Sequence, residues 1–511
     1  MNAKGTGAPV AAAQKMALKA ALDRILERLG ADELDAALDL CRDLLDRHPE
    51  QPDALHLAGF IHQMRGEHED AVHYFAHAQQ VAPENVEVLN NFAASLKALG
   101  RYERAERYYR EVIERNPDFV LAQHNFADLL LTLDRPAEAT ARARAAIRID
   151  PGFSNAYLTL GRALSEQRRD DEAIEAYREA VARGAPLAVG EMAESLLLLL
   201  RGRYAQGWEK YEARLVSPDG STPPLSAAVT SGYPRWRGSM LTRRAILVRE
   251  EQGLGDELMF ASCMPDLIST AGRCVLVCSP GLRALFARSF PGVEVLAADD
   301  PDLARRLEAA RIDFQVPCGS LPLAFRTRAE DFPAHEGYLR ADPARVAYWR
   351  ERLDALGDGP KIGLSWRGGT PGSGRERRSI PLAELQSALA SRTHFISLQY
   401  GPVEDELAGQ ARAGYRVEHW PEVIADTDET AALITALDLT LSVCTAVVHL
   451  AGALGRPAWV MTPWAAEWRY GDSGENLIWY PSVRLFRQPV PGDWESVVRQ
   501  VDGALRERYP A

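Results

Sequence analysis

Four prolines, Pro49, Pro83, Pro117 and Pro151, stand 34 residues apart in the first third of the chain. A fixed period of this length marks stacked units, each of which buries its apolar face only against the next. With units counted so that the proline is position 32, the unit from Pro52 carries Leu55, Ala58, Gly59, Ala71, Phe75, Ala78 and Pro83. The next carries Leu89, Phe92, Ala93, Ala105, Tyr109 and Pro117. Small residues at positions 8 and 20 let two antiparallel helices approach closely, and the large ones fill the space to the neighbouring unit. The unit from Ser154 keeps Tyr157, Gly161, Ala173, Tyr177 and Ala180 but has Ala185 where the proline would stand. With less regular units before Pro49 and after Pro186, the array is expected to hold five to six repeats over residues 18–215.

The period and its residue classes resemble the tetratricopeptide repeat, an α-solenoid whose concave face binds partners and supplies no chemistry. A spacer or dimerisation arm is the plainer use of such an array. Asn91 and Asn125 both occupy position 6, on the first helix of their units. An amide offers a donor and an acceptor together, so a row of them can hold the backbone of a bound peptide. This resembles the asparagine ladder of tetratricopeptide-repeat protein O-glycosyltransferases, although the flanking units have Leu57 and Thr159 at that position. Solvated helix asparagines are the alternative.

At 511 residues the chain is long enough for about three to five folding units. Its 59 basic and 71 acidic residues leave a net charge of −12, which disfavours general binding to nucleic acid or anionic membrane. No run approaches the ~18 apolar residues of a membrane span; Leu196 to Leu200, the richest, is closed by Arg201. The segment from Met1 to Lys15 lacks the hydrophobic core of a secretory signal, so a cytoplasmic protein is expected. The cysteines, at 41, 263, 274, 278, 318 and 444, form no CxxC pair and read as buried thiols.

From Ser217 to Pro234 the sequence SPDGSTPPLSAAVTSGYP has linker composition, which places a linker at 216–240. Beyond it, short apolar runs at 245–248, 273–278 and 293–296 alternate with helical patterns at 258–268 and 303–310, a parallel α/β layout over 241–342. A helix from Pro343 to Leu356 and the turn GDGP, together 343–360, lead to a second half at 361–511. There, strands are expected at 361–366, 395–399, 439–443 and 458–461, with helices at 382–389, 429–437 and 447–454. Two Rossmann-like halves facing a cleft are what a GT-B glycosyltransferase requires. A two-domain dehydrogenase or a binding protein would share the layout.

The first motif is AILVREEQGLGDELMF at 245–260: a strand, a turn at Gly253 to Gly255, and a helix starting near Asp256. Such turns bring backbone N–H groups to the rim of a sheet, where ligands bind. The dinucleotide fingerprint fails, since Leu258 stands where its last glycine belongs, and the second strand ends in Cys278 and Ser279 without an acidic residue for a ribose. Asp256 by itself reads as a helix cap or first-turn carboxylate. The second motif, LTLSVCTAVVHLAGALGRPAW from Leu439, is strand, tight turn, helix and strand. The N–H groups of Thr445, Ala446 and Val447 would face an anion such as a leaving nucleoside phosphate. His449 lies one helical turn on, either on that phosphate or in the core.

In order and content these motifs resemble the glycosyltransferase family that contains the lipopolysaccharide heptosyltransferases and their tetratricopeptide-fused relatives, over nearly all of residues 200–505. The resemblance also rests on GLSW at 363–366, RSIPL at 378–382, SLQ at 397–399, DTDETAALITALDL at 426–439 and WYPSVRLFRQ at 479–488. It implies an acceptor-side first half, with Asp256 as catalytic base on a loop of Gln252, Gly253 and Gly255, and a donor-side second half. It further implies a motif V-D-T-x-x-x-H-L-A across Val443, Thr445, His449, Leu450 and Ala451, from which Cys444 departs by standing where an aspartate is expected. The loop RGGTPGSGRERR at 367–378 carries four arginines, of which Arg367 and Arg378 are candidates for a donor phosphate or carboxylate and a solvated run is the alternative. Asp426 and Asp428 spell D-x-D, but ahead of a helix they read as caps rather than metal ligands.

The expectation is a metal-independent, inverting glycosyltransferase without cofactor, using a nucleotide-activated sugar. Its acceptor would be a protein Ser or Thr hydroxyl brought by the repeats, with flagellin suggested by the bacterial fused transferases. A nonulosonic acid donor would bring a carboxylate to an arginine, and a nucleoside-diphosphate sugar two phosphates. Competing expectations are a non-catalytic adaptor, which Cys444 favours, and a transferase acting on lipopolysaccharide or another glycan.

Overall fold

The structure, a computed structural model, describes residues 7–216, 232–369, 375–386 and 393–510. Most of the expected linker lies outside them, as do residues 370–374 of the arginine-rich loop and 387–389 of the helix expected there. Up to Tyr204–Tyr211 the described chain is twelve helices, the first Gly7–Gly30. They pair at the predicted period: Pro52–Met64 with His68–Val81, Val86–Ala98 with Tyr102–Arg115, Val120–Thr132 with Pro136–Ile149, and Ser154–Glu166 with Asp170–Ala182. Each periodic proline stands directly after a helix C-cap, at His48, Ala82, Asn116 and Asp150, where the missing N–H costs no helical bond. Close helix contact explains the small residues: a Cβ on Gly59 would lie 2.7 Å from the Phe75 ring, and one on Gly161 2.5 Å from Tyr177.

The chain divides into two compact units, Met1–Ala185 and Pro186–Ala511. The period counts residues 186–215 with the array; in the structure the hairpin of Leu187–Leu200 and Tyr204–Tyr211 belongs to the second unit. Trp208 and Tyr211, buried there, meet Phe260 and Trp468 in one aromatic cluster.

The second unit holds two sheets. Strands β1 (Ala245–Arg249), β2 (Arg273–Cys278), β3 (Glu294–Ala297) and β4 (Phe314–Pro317) form a parallel sheet in the order β3-β2-β1-β4. Seven more strands make the other: β5 (Lys361–Ser365), β6 (His394–Ser397), β7 (Val417–Glu418), β8 (Leu439–Val443), β9 (Ala458–Thr462), β10 (Asn476–Leu477) and β11 (Tyr480–Arg487). Their order is β10-β11-β9-β8-β5-β6-β7, parallel throughout except between β10 and β11. In both sheets the first strand sits inside and the chain order reverses beside it, between β1 and β4 and between β5 and β8. Ligands of open α/β sheets bind beyond the strand ends at such reversals.

Four strands escape the apolar-run reading. β7 and β10 are two residues each, β4 is four residues and half-buried at its start, and β11 alternates buried and exposed positions around Pro481. The single helix expected at 258–268 is two helices, Leu254–Phe260 and Met264–Thr270, joined by a 3₁₀ turn ahead of Pro265. All six cysteines are buried and unbridged, and no helix among the described residues is long and apolar enough to cross a membrane.

Candidate functional site

The loop after β5 meets the turn after β8, and the helix after β1 packs on the helix after β8. After β1, Gly253 is the N-cap of the Leu254–Phe260 helix, which starts two residues before Asp256. Gln252 is held at φ +63, left-handed backbone uncommon for a residue with a Cβ. Its Nε2 donates to Tyr211 Oη at 2.7 Å, and the buried Glu251 beside it accepts from Arg214 Nη2 at 2.7 Å. Gly255 permits close packing on the Ala446–Ala453 helix, since a Cβ there would lie 3.2 Å from His449 Cδ2 and 3.5 Å from Ala446 Cα. Asp256 caps nothing. Its Oδ1 accepts from Arg469 Nε at 2.9 Å and also from Arg469 Nη2, and both side chains are largely buried. The adjacent Glu257 turns elsewhere, accepting from Ser279 N at 2.9 Å and from Ser279 Oγ; burial raises its carboxyl above the usual range.

After β8, Thr445 is the N-cap of Ala446–Ala453, but its Oγ1 lies 3.0 Å from Ser442 Oγ instead of capping. That leaves the first turn, with Ala446 and Val447, without a side-chain cap. Cys444 is buried, its thiol pushed up by burial and hydrogen-bonded to Tyr470. The loop after β5 closes on this turn: a Cβ on Gly368 would lie 2.8 Å from the Cys444 carbonyl oxygen. His449 is buried, with Nδ1 3.1 Å from Tyr480 Oη; burial, aided by Arg469, pulls its pKa down to about 3, so the imidazole is neutral.

The two arginine candidates diverge. Arg367 turns away, donating to the Pro402 carbonyl at 2.5 Å and lying 3.2 Å from Glu406. Arg378 pairs with Glu467, which lies 3.5 Å from Arg469. A row of alternating charges, Arg378, Glu467, Arg469 and Asp256, therefore runs from the arginine-rich loop to the β1 loop. Arg469 stacks over Trp468 at 4.7 Å, and although burial alone would lower its pKa, Asp256 and Glu467 raise it above the ordinary value. Gln399 fixes the start of the arginine-rich loop, its Oε1 accepting from Trp366 N at 2.9 Å and Arg367 N at 2.8 Å.

Sequence reasoning missed Glu467, Arg469, Tyr470 and Tyr480. The available signal was position: the first three follow the carboxyl end of β9 by a few residues, in a parallel sheet whose strand ends carry the ligand loops.

In the array, Asn91 and Asn125 bond sideways. Asn91 Nδ2 lies 3.0 Å from His56 Nε2, Asn90 Nδ2 donates to Asn91 Oδ1 at 3.1 Å, and Asn125 Nδ2 donates to Asn90 Oδ1 at 3.1 Å. Thr159 Oγ1 continues the pattern, 3.3 Å from His124 Nδ1. The group among the described residues that brings three ligand atoms within 4.8 Å of one another for a metal is also here: His62, Glu67 and Asp70. Asp426 is an N-cap, accepting from Asp428 N at 2.8 Å, and Asp428 pairs with Arg288 at 2.6 Å.

Tetratricopeptide-repeat family models match residues 63–127 and 124–188. Among solved structures, a Pseudomonas aeruginosa pilF protein is 20% identical, covering 39% of this chain and 88% of its own at a TM-score of 0.35. YrrB, a tetratricopeptide-repeat protein with an unusual peptide-binding site, is 20% identical over 34% of this chain and 91% of its own at 0.30. Scores at this level carry no argument about architecture. Protein FlbA of Caulobacter vibrioides is 34% identical over 459 residues, 86% of this chain and 75% of that protein. A match of that depth reaches well past the repeats into the sheet-bearing unit, and the chain belongs to the family of Protein FlbA.

Proposed function

We propose that the protein is a GT-B glycosyltransferase that moves a sugar from a nucleotide-activated donor to a Ser or Thr hydroxyl of a protein held by the repeats, in the cytoplasm and without a metal or other cofactor. One observation carries the reading: Asp256, in the first turn of the helix after β1, pairs with Arg469 while its neighbour Gly255 packs on Ala446 and His449 of the helix after β8, so a candidate proton acceptor stands beside a helix start suited to an anion. Asp256 takes the acceptor proton. The first turn from Thr445, with Arg378 near it, receives the nucleotide phosphate; His449, neutral and bonded to Tyr480, shapes the floor beneath. Arg367 has no part in donor binding. Tetratricopeptide repeats bind peptide segments of partner proteins, and a flagellin-like protein is the acceptor the motifs favour.

The test is intact-mass analysis of a flagellin co-expressed with the wild-type chain or with Asp256→Asn. The wild type should add whole sugar masses; the variant, which keeps shape but loses the base, should reduce transfer by at least about 100-fold. Turnover retained by the variant removes the base assignment. A second reading, a non-catalytic adaptor, is favoured by the neutral Cys444 thiol and by the ion pair that engages Asp256. Calorimetry against a panel of nucleotides separates the two, since the adaptor predicts no heat with any.

A further inference from the structure

Asp256 is the proton acceptor of the proposed reaction, and Arg469 occupies it. Two N–H groups of one guanidinium on a single carboxylate oxygen hold that oxygen's lone pairs and fix the direction in which the carboxylate faces. A carboxylate tied down in this way cannot turn toward an acceptor hydroxyl until the guanidinium moves. Arg469 is not locked to one partner, however. Its Nη1 also donates to Glu467 Oε2 in a long hydrogen bond of 3.5 Å, and Glu467 is already shared with Arg378. The row has two cations and two anions, so it is balanced as it stands, and any further anion unbalances it.

We infer that Arg469 is a positioning residue shared in competition between Asp256 and an anionic ligand, so that a phosphate seated between Arg378 and Arg469 draws the guanidinium off Asp256 and releases the base. The inference rests on the proposed transferase reading for the ligand's identity, a donor phosphate, but not for the competition itself. Glu467 binds both arginines, Arg378 through one carboxylate oxygen and Arg469 through the other, so two cations share one anion. The Cys444–Ala446 turn adjoins the same place, since Cys444 feels Glu467 and Arg378 and hydrogen-bonds Tyr470. Release on donor arrival would make the order of binding part of the chemistry: the base is available only once the leaving group is in place, and the chain spends little donor on water beforehand.

The experiment is a double-mutant cycle on the full chain, with inorganic pyrophosphate as the probe and calorimetry as the readout. If Asp256 and the anion compete for one guanidinium, Asp256→Asn tightens pyrophosphate binding by about 10-fold and Arg469→Gln weakens it by roughly 10–100-fold, the scale of one charge-assisted hydrogen bond. Simple repulsion by Asp256 would tighten binding in D256N as well, so the fourth corner decides. Competition predicts that D256N adds nothing in the R469Q background; equal tightening in both backgrounds overturns the inference. Arg469→Met, which keeps an unbranched stem but has neither charge nor donor, replaces R469Q in the same cycle if that variant does not fold. Pyrophosphate that binds wild type and R469Q equally also overturns it. A positive cycle in a chain that transfers no sugar would leave the competition standing and remove the transferase reading.

Discussion

His449 shows how a single side chain reports the character of the site. Burial lowers its pKa to about 3 in the fold, against about 6.5 in an unfolded chain. The folded value is the lower, so the unfolded chain takes up the proton first as pH falls. Stability is therefore lost from about pH 6.5 downward, at roughly 1.4 kcal/mol per pH unit until the folded value is reached. In urea unfolding at pH 7 and pH 5, His449→Gln should lose about 1–3 kcal/mol less than wild type across that interval, since glutamine keeps a partner for Tyr480 and has no proton to take up. Equal losses would mean the ring carries its proton inside the fold. The residues that carry the site were unevenly legible. Asp256, Thr445 and His449 sit on motifs, whereas the Arg469 partner of Asp256 lies 213 residues away and leaves no local trace. His56 and His124 were readable from the repeat period, had position 5 been compared along with position 6.

At the scale of elements, glycine has opposite meanings in two helices. A Cβ on Gly161 would enter the buried ring of Tyr177, whereas one on Gly503, within Trp494–Arg508, meets nothing within 4 Å. Gly161→Ala should destabilise by about 1–3 kcal/mol through overpacking, and Gly503→Ala should stabilise by about 0.4–1 kcal/mol through the unfolded chain. Denaturant midpoints of the two variants read both, and shifts of the same sign would contradict the packing argument. Helices and the continuous apolar strands were legible because burial repeats along them. The β1 loop was legible as a turn but not as one propped open from another element: Tyr211 holds Gln252 at φ +63. Tyr211→Phe removes that prop. It should cost about 1 kcal/mol of stability and slow transfer by more than it weakens nucleotide binding; unchanged transfer would mean the loop holds itself.

For the whole molecule, the boundary that matters is set by packing rather than by period. The 34-residue pattern runs on past Pro186, so the sequence ends the array at 215, yet Trp208 and Tyr211 are 1% exposed within the second unit and the Arg214–Glu251 pair is buried there. A fragment of residues 186–511 should melt cooperatively, and one of 216–511, stripped of those aromatics and with Glu251 unpaired, should not. Calorimetric melting of both fragments decides it, and equal cooperativity would return the hairpin to the array. Within the array itself, three cross-unit bonds join residue n to residue n+35: His56 to Asn91, Asn90 to Asn125, His124 to Thr159. Inheritance is constrained by that offset. Recombination that copies or excises a full unit leaves every partner in reach of its mate, whereas one codon gained or lost inside a unit misaligns the bonds on either side, so a lineage can change the span of this surface only in whole-unit steps.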